Sequence, residues 1–318
     1  MDARFGSAAS LDDFQRLAFG GGSALLQQRP ADRWRGLGGP LGDANNAIAA
    51  DRPGAFIDQF AMPLGKYRLP PNEMQEILPQ QLLALESAAA ALEDAGMALR
   101  ERRHRAGVIV GMSFDFETTN FHLRWWLEGQ ARRWAAAMGL SPSEEQNSAW
   151  IEALREQTGP ALTPTATMGA LGNIIASRIA REFQFGGPSF VVSAEAASGI
   201  AALEAAVRSL QLGETDAMVV GAVDLAGDVR TVMATGALRP DCAVGEGATS
   251  LVLKRLSDAT RDGDRVYGVI RGIGRASGAA IGRLDSDEAR ESMAAACERS
   301  MAARCEMQAC CDWRHWAS

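Results

Sequence analysis

The sequence predicts an α/β fold, and three observations carry that prediction. First, four short apolar runs have the length and composition of buried strands: AGVIVGM (106–112), SFVVSA (189–194), DAMVVGAV (216–223) and GATSLVLKRL (247–256). Second, the stretches between them carry apolar residues at helical spacing, as at Leu82, Leu83, Leu85, Ala89 and Leu92. Third, residues 187–223 run strand, sharp turn, helix, strand. That order predicts parallel pairing through a right-handed crossover. Alternation of this kind is the sequence pattern of α/β proteins.

Taken in order, residues 11–19 form a short helix begun by Ser10, with Asp12 and Asp13 in its first turn. Residues 36–54 are a loop rich in Gly, Pro and Asp. The helix over 80–96 stops at Gly96. Residues 106–112 are a strand, and 125–138 a helix carrying Trp125, Trp126 and Trp134. Ser141 caps the next helix, with Glu144 three residues on completing a capping box. Helix 173–183, strand 189–194, helix 197–212 and strand 216–223 come next. Two further strands are expected at 247–256 and 265–274. There is no internal repeat and no linker that divides two domains.

Composition bounds the function. The chain has 318 residues, 47% hydrophobic and 22% charged, enough to bury a large core. A net charge of −7 argues against nucleic-acid or anionic-membrane binding, which needs a basic face. The polar N-terminus and the lack of a spanning apolar run give neither a signal peptide nor a membrane helix. Cys297, Cys305, Cys310 and Cys311 crowd the C-terminal end, and only Cys242 lies in the main body. That is neither a disulfide framework nor a zinc-site spacing. A reducing cytoplasm is the expected compartment.

The chemistry concentrates in GPSFVVSAEAASGIAAL (187–203). A nucleophile placed where a strand feeds a helix gains the partial positive charge and free N–H groups of the helix N-terminus. Gly199 permits close packing around such a bend. Read alone, this is a generic βαβ crossover.

Other segments lift it above that reading. PQQLLALE (79–86) with ALEDAG (91–96), RIAREFQFGGPS (178–189) after Gly172 and Asn173, the run 210–223, GEGATSLVLKRL (245–256) and DGDRVYGVIRG (262–272) stand in a fixed order. They resemble, respectively, DPQQRLLLE…ALEDAG, GN…GRIS..FGL.GPS, L..GE.D.ALVGGV, GEGAG.LVLKRL and the strand opening the second half of the β-ketoacyl synthases of polyketide and fatty-acid assembly lines. The resemblance covers residues 1–275 and implies a thiolase-like layered fold, here the N-terminal half plus the start of the second half. Residues 276–318 are a helix and an atypical tail.

That family loads an acyl chain on a cysteine, decarboxylates a malonyl unit held by an acyl carrier protein, and condenses the two. The resemblance places the cysteine at position 196 with no gap between 187 and 212, and the residue there is Ala196. A methyl group has no lone pair to acylate. Losing the nucleophile of such a coupled unit costs on the order of 10⁶-fold in rate.

The sequence departs from the family elsewhere too. The histidine motifs HGTGT and NxGHxxxAAG and the second-half lysine are absent. His104 sits in a solvated charged stretch, His122 reads as a packed or interface histidine, and His315 lies in the tail. Between 236 and 245 only Arg239-Pro-Asp remains of a longer element. MDARFG matches the family's segment just after its first strand, so that strand is read as missing and Met1 as an internal methionine. A helix over 285–301 runs into a tail whose composition changes abruptly, as after a frameshift or truncation.

Two features remain. Glu195, beside the elbow, reads first as a carboxylate stabilising the helix N-terminus and second as a base. Trp125, Trp126 and Trp134, with Phe114, Phe116 and Phe121, read as core, as an acyl tunnel lining or as a dimer surface. The stretch GMSFDFETTNFHLRWW points to the polyunsaturated-fatty-acid or glycolipid synthase branch.

Three functions are therefore expected. The first is a condensation-inactive partner or chain-length-influencing subunit. The second is a malonyl-carrier-protein decarboxylase. The third is a non-functional gene fragment. The expected partners are an acyl carrier protein and an active ketosynthase or synthase subunit, in a homo- or heterodimer. The resemblance implies no cofactor and no metal.

Overall fold

A computed structural model describes residues 1–20, 27–28, 30, 53–112, 120–158, 161, 163–169, 171–225, 243–274, 291, 294–295 and 297–299. Of 120–123, 166 and 169 it describes the backbone alone. The loop at 36–52, Phe114, Phe116, Arg239, Cys242, His315 and the tail lie outside these residues, as do the side chains of Phe121 and His122.

The described elements are β1 (Asp2–Phe5), α1 (Leu11–Phe19), α2 (Pro71–Met74), α3 (Pro79–Asp94), β2 (Ala106–Met112), α4 (Asn120–Ala137), α5 (Glu144–Thr158), α6 (Pro164–Gly169), α7 (Ile174–Glu182), β3 (Ser189–Val192), α8 (Ser198–Gln211), β4 (Ala217–Asp224), β5 (Gly247–Lys254) and α9 (Leu256–Asp262). The strands form one sheet in the order β1-β5-β4-β2-β3. β2 pairs in parallel with both β3 and β4. β5 pairs antiparallel with β4 and β1. β3 and β4 thus run the same way, as predicted from the strand–helix–strand order, but β2 lies between them.

Side chains alternate across a strand, so each central strand feeds two cores. Val108, Val110, Met112, Val219 and Val223 face α3 and α7, against Leu83, Leu85, Leu92, Ile175, Ile179 and Phe183. Ile109, Met218 and Val220 face α8, against Ala202, Ala206 and Leu210. Burial on both faces is why β2 reads as an unbroken apolar run.

α3 starts with Pro79 at its first turn, where the missing N–H is harmless, and ends before Gly96 at φ +68°. Ser10 caps α1 by accepting from the Asp13 N–H. Glu246, fully buried, accepts from the Ile57 N–H at 2.8 Å and fastens the 55–57 segment to the start of β5. Asp216 is clamped by two guanidinium groups, Arg105 at 2.8 Å and Arg255 at 2.6 Å. Their hydrogen bonds, Arg105's first, hold its carboxyl below the usual aspartate range. Tyr67 donates to Glu86, and burial, then that bond, raise the phenol well above its ordinary value.

Three expectations need correction. The capping box is Ser143 with Gln146, two residues later than Ser141 with Glu144. Ser143 Oγ accepts from the Gln146 N–H at 3.2 Å, and Gln146 accepts from the Ser143 N–H at 2.9 Å. Glu144 instead pairs with Arg132 across the α4–α5 hairpin. Residues 265–274 are not a strand. Among the described residues no strand lies beside them to supply ladder bonds. Arg265 and Tyr267 reach back to Asp94 at the end of α3 instead. Residues 2–5, to which the periodicity assigned nothing, form the edge strand β1. Within the helix expected at 285–301, the described positions are helical.

No helix among the described residues is long and apolar enough to cross a membrane.

Candidate active site

The elbow is a tight turn between β3 and α8. Ala194 closes the strand side at φ −142°, ψ 39°, and residues Glu195–Ala197 form one turn of 3₁₀ helix before α8 begins. Glu195 has φ +50°, in the left-handed region that costs a side-chain-bearing residue roughly 1–2 kcal/mol. Ser198 holds it there. Its buried Oγ accepts from the Ala194 N–H at 2.9 Å and donates to the Glu195 carbonyl at 2.6 Å. One hydroxyl therefore ties the residue before the bend to the residue at its apex. The Ala197 N–H adds a bond to the Ala194 carbonyl at 3.0 Å.

The sheet meets this turn closely. A Cβ on Gly111 would come within 2.5 Å of the Ser198 carbonyl and 2.6 Å of the Gly199 nitrogen. Only glycine in β2 lets the start of α8 sit so near the strand. Gly199, credited from sequence with the close packing, is less constrained: its Cβ would lie 3.1 Å from that of Ala222. The sequence signal for Gly111 was a glycine inside a buried strand. For Ser198 it was a serine three residues after the apex, where a hydroxyl can bond back to the turn.

Glu195 and Ala196 come together here, and both are exposed. The turn presents the Ala196 methyl to solvent. Glu195 lies ahead of the first turn of α8, the end of a helix at which a carboxylate is stabilised. His104 is not part of this site. It precedes β2, beside Gly186, while the elbow touches Gly111. That separation is roughly 20 Å along the strand. Among the described residues, no group of three His, Cys, Asp or Glu side chains is placed to hold a metal.

α4 and α5 form a helical hairpin, locked by Arg155 with Glu128 and Arg132 with Glu144. Leu127, Ala131 and Ala135 face inward, while Trp125 and Trp126 are 70% and 53% exposed. Trp126 and Trp134 meet edge to face at 6.0 Å. The core reading of these indoles is therefore overturned for all three, Trp134 being exposed as well: helix rotation gives the inward stripe to the smaller residues.

Residues 1–259 match the family model described as "Beta-ketoacyl synthase, N-terminal domain". The chain is 29% identical over 309 residues to one of the subunits of the polyunsaturated fatty acid synthase of a Thraustochytrium species, covering 91% of this chain and 14% of that protein. It is 31% identical over 287 residues to the polyketide synthase GfsA of Streptomyces halstedii, covering 85% of this chain and 3% of that one. The chain thus spans a small part of the length of these relatives. Among solved structures, the PfaC keto synthase–chain length factor superposes with TM-score 0.73 at 25% identity, covering 87% of this chain and 30% of its own. A ketosynthase from the bacillaene synthase of Bacillus subtilis superposes with TM-score 0.61 at 22% identity, covering 95% of this chain and 44% of its own, and speaks for the fold alone. The mixed sheet with helices on both faces is the α/β architecture of these thiolase-like proteins.

Proposed function

The chain belongs to the β-ketoacyl synthase family, and from that premise we propose that it is a condensation-inactive ketosynthase-like domain. It acts as a partner or chain-length-influencing subunit beside an active ketosynthase in a polyketide or polyunsaturated-fatty-acid synthase. The observation that carries this reading is Ala196, one residue past the apex of the elbow. The turn keeps its close contact with Gly111 and its Ser198 latch, yet offers a methyl group where acylation needs a lone pair. Likeness to a keto synthase–chain length factor and to a polyunsaturated fatty acid synthase supports the chain-length role and the working context of an acyl carrier protein.

Pairing has a physical basis in β3. It is the last strand of the sheet, and its outer edge has no neighbour among the described strands. Phe190 on that strand is 41% exposed, and Ile200 on α8 is 53% exposed. An open edge flanked by apolar side chains favours a second sheet, from an active ketosynthase or from another copy. The exposed indoles of α4 add apolar surface to the same purpose.

The test uses the purified chain with an active ketosynthase of its synthase. The expected result is a two-chain complex by light scattering, no carbon dioxide from malonyl-carrier protein with this chain alone, and an altered product length in the complex. One observation favours a second reading: the Glu195 carboxylate stands exposed at the apex. Carbon dioxide release by the chain alone, abolished by Glu195→Gln, would replace the partner role with decarboxylation without condensation.

A further inference from the structure

Several pairs of cations among the described residues share one carboxylate. Arg105 and Arg255 straddle Asp216. Arg4 and Lys66 straddle Glu86 at 3.5 and 3.4 Å. Arg124 and Arg155 share Glu152. Arg178 and Arg181 share no such anion among the described residues. Arg178 and Arg181 stand one turn apart on α7, close enough to repel each other. Among the described residues neither makes an ion pair. Glu73 on α2 attracts Arg178 without reaching it.

Arg178 is half-buried, and among the described residues its one hydrogen bond is from Nε to the carboxamide oxygen of Gln81 on α3, at 3.3 Å. Gln81 is neutral and 3% exposed, so it fixes the guanidinium without neutralising it. Among the described residues the two terminal nitrogens of the fork have no partner. Burial pulls the guanidinium below its ordinary range, the direction expected of a cation short of a counter-charge. A planar fork held at its inner nitrogen, with a second cation beside it, is the arrangement that takes an oxyanion in two parallel bonds.

We propose that Arg178 and Arg181, with Gln81 as the positioning residue behind them, form an oxyanion site filled from outside the chain by a phosphate or carboxylate group. What the other cation pairs find within the fold, this pair takes from a ligand or a docked acidic side chain. The site lies on the α3–α7 face of the sheet and stands independently of the role assigned to the elbow.

The test is titration of the full chain with inorganic phosphate and, separately, acetate, at constant ionic strength balanced with sodium chloride. The arginine Nε–Hε signals are followed by NMR. The expected result is a saturable shift of the Arg178 and Arg181 signals with at least one anion. Arg105 and Arg255, whose forks hold Asp216, stay still. Saturation by phosphate alone assigns a phosphate group, and saturation by acetate assigns a carboxylate. Arg178→Lys keeps the charge, loses the fork and weakens binding about tenfold. The exposed Arg181→Gln weakens it with the fold intact. No shift with either anion, or a uniform shift of all arginines that never saturates, means an adventitious ion only and overturns the proposal. So does saturation left unchanged by both substitutions.

Discussion

α3 and α8 are both rich in Ala and Leu and lie on opposite faces of the sheet, yet they are used in opposite ways. α3 is buried on nearly every side, with an unbroken run from Gln80 to Ala89 inside, polar residues included. α8 buries one stripe, Ser198, Ala201, Ala202, Ala206, Ser209 and Leu210, and shows Ile200 to solvent. A helix enclosed on all sides is scaffold. A helix with one free side can hold a turn in place with its buried stripe and present another surface to a partner. The elbow sits at the start of the second kind of helix, so a side chain on the turn can change without touching the core.

The first way to sharpen this contrast is to cut into α3. Leu83→Ala removes a fully buried side chain and is expected to cost about 3–4 kcal/mol, read by urea unfolding. A loss no larger than that of an exposed α8 substitution would erase the distinction. Gly111→Ala comes next, because its methyl must push the start of α8 away from the sheet. It is expected to cost about 2–3 kcal/mol, together with a change in amide shifts from 194 to 199.

Ser198→Ala removes both bonds that hold Glu195 in its left-handed conformation and should cost about 1–2 kcal/mol. Its hydrogen exchange should rise at the elbow and leave α3 untouched.

A smaller effect comes from pH. The folded carboxyl of Asp216 is held below its unfolded value by Arg105 and Arg255. Its stabilisation is complete above the unfolded value, near 3.8, and is lost as pH falls through the lower folded one. Half-exposed as it is, it contributes under about 1 kcal/mol, and Arg255→Gln should flatten that part of the acid limb. The smallest stability change belongs to Ile200→Ser, within about 0.5 kcal/mol. Its effect is expected in pairing instead, read as a weaker complex by light scattering. A stability loss like that of Leu83→Ala would place Ile200 in the core.

The sequence alone determined what is local. Helix 11–19 and strand 106–112 keep their predicted ends because a cap, a period and a short apolar run act within a few residues. The elbow was equally legible as a turn, because an apolar run, a bend and a helical period follow one another directly between 189 and 211. What the tertiary structure decided is whatever depends on distant partners. Nothing local told β3 and β4 that β2 would come between them, or that 265–274, extended in pattern, would bind Asp94 instead of joining a ladder. Ser141 and Ser143 both head a possible capping pattern in the sequence; in the fold Ser143 closes the box, and Glu144 reaches Arg132 on another helix. The left-handed backbone of Glu195 has the same origin. Periodicity is blind to it, because it is held by the Ser198 latch, at the start of a helix that Gly111, far earlier in the chain, lets approach the sheet.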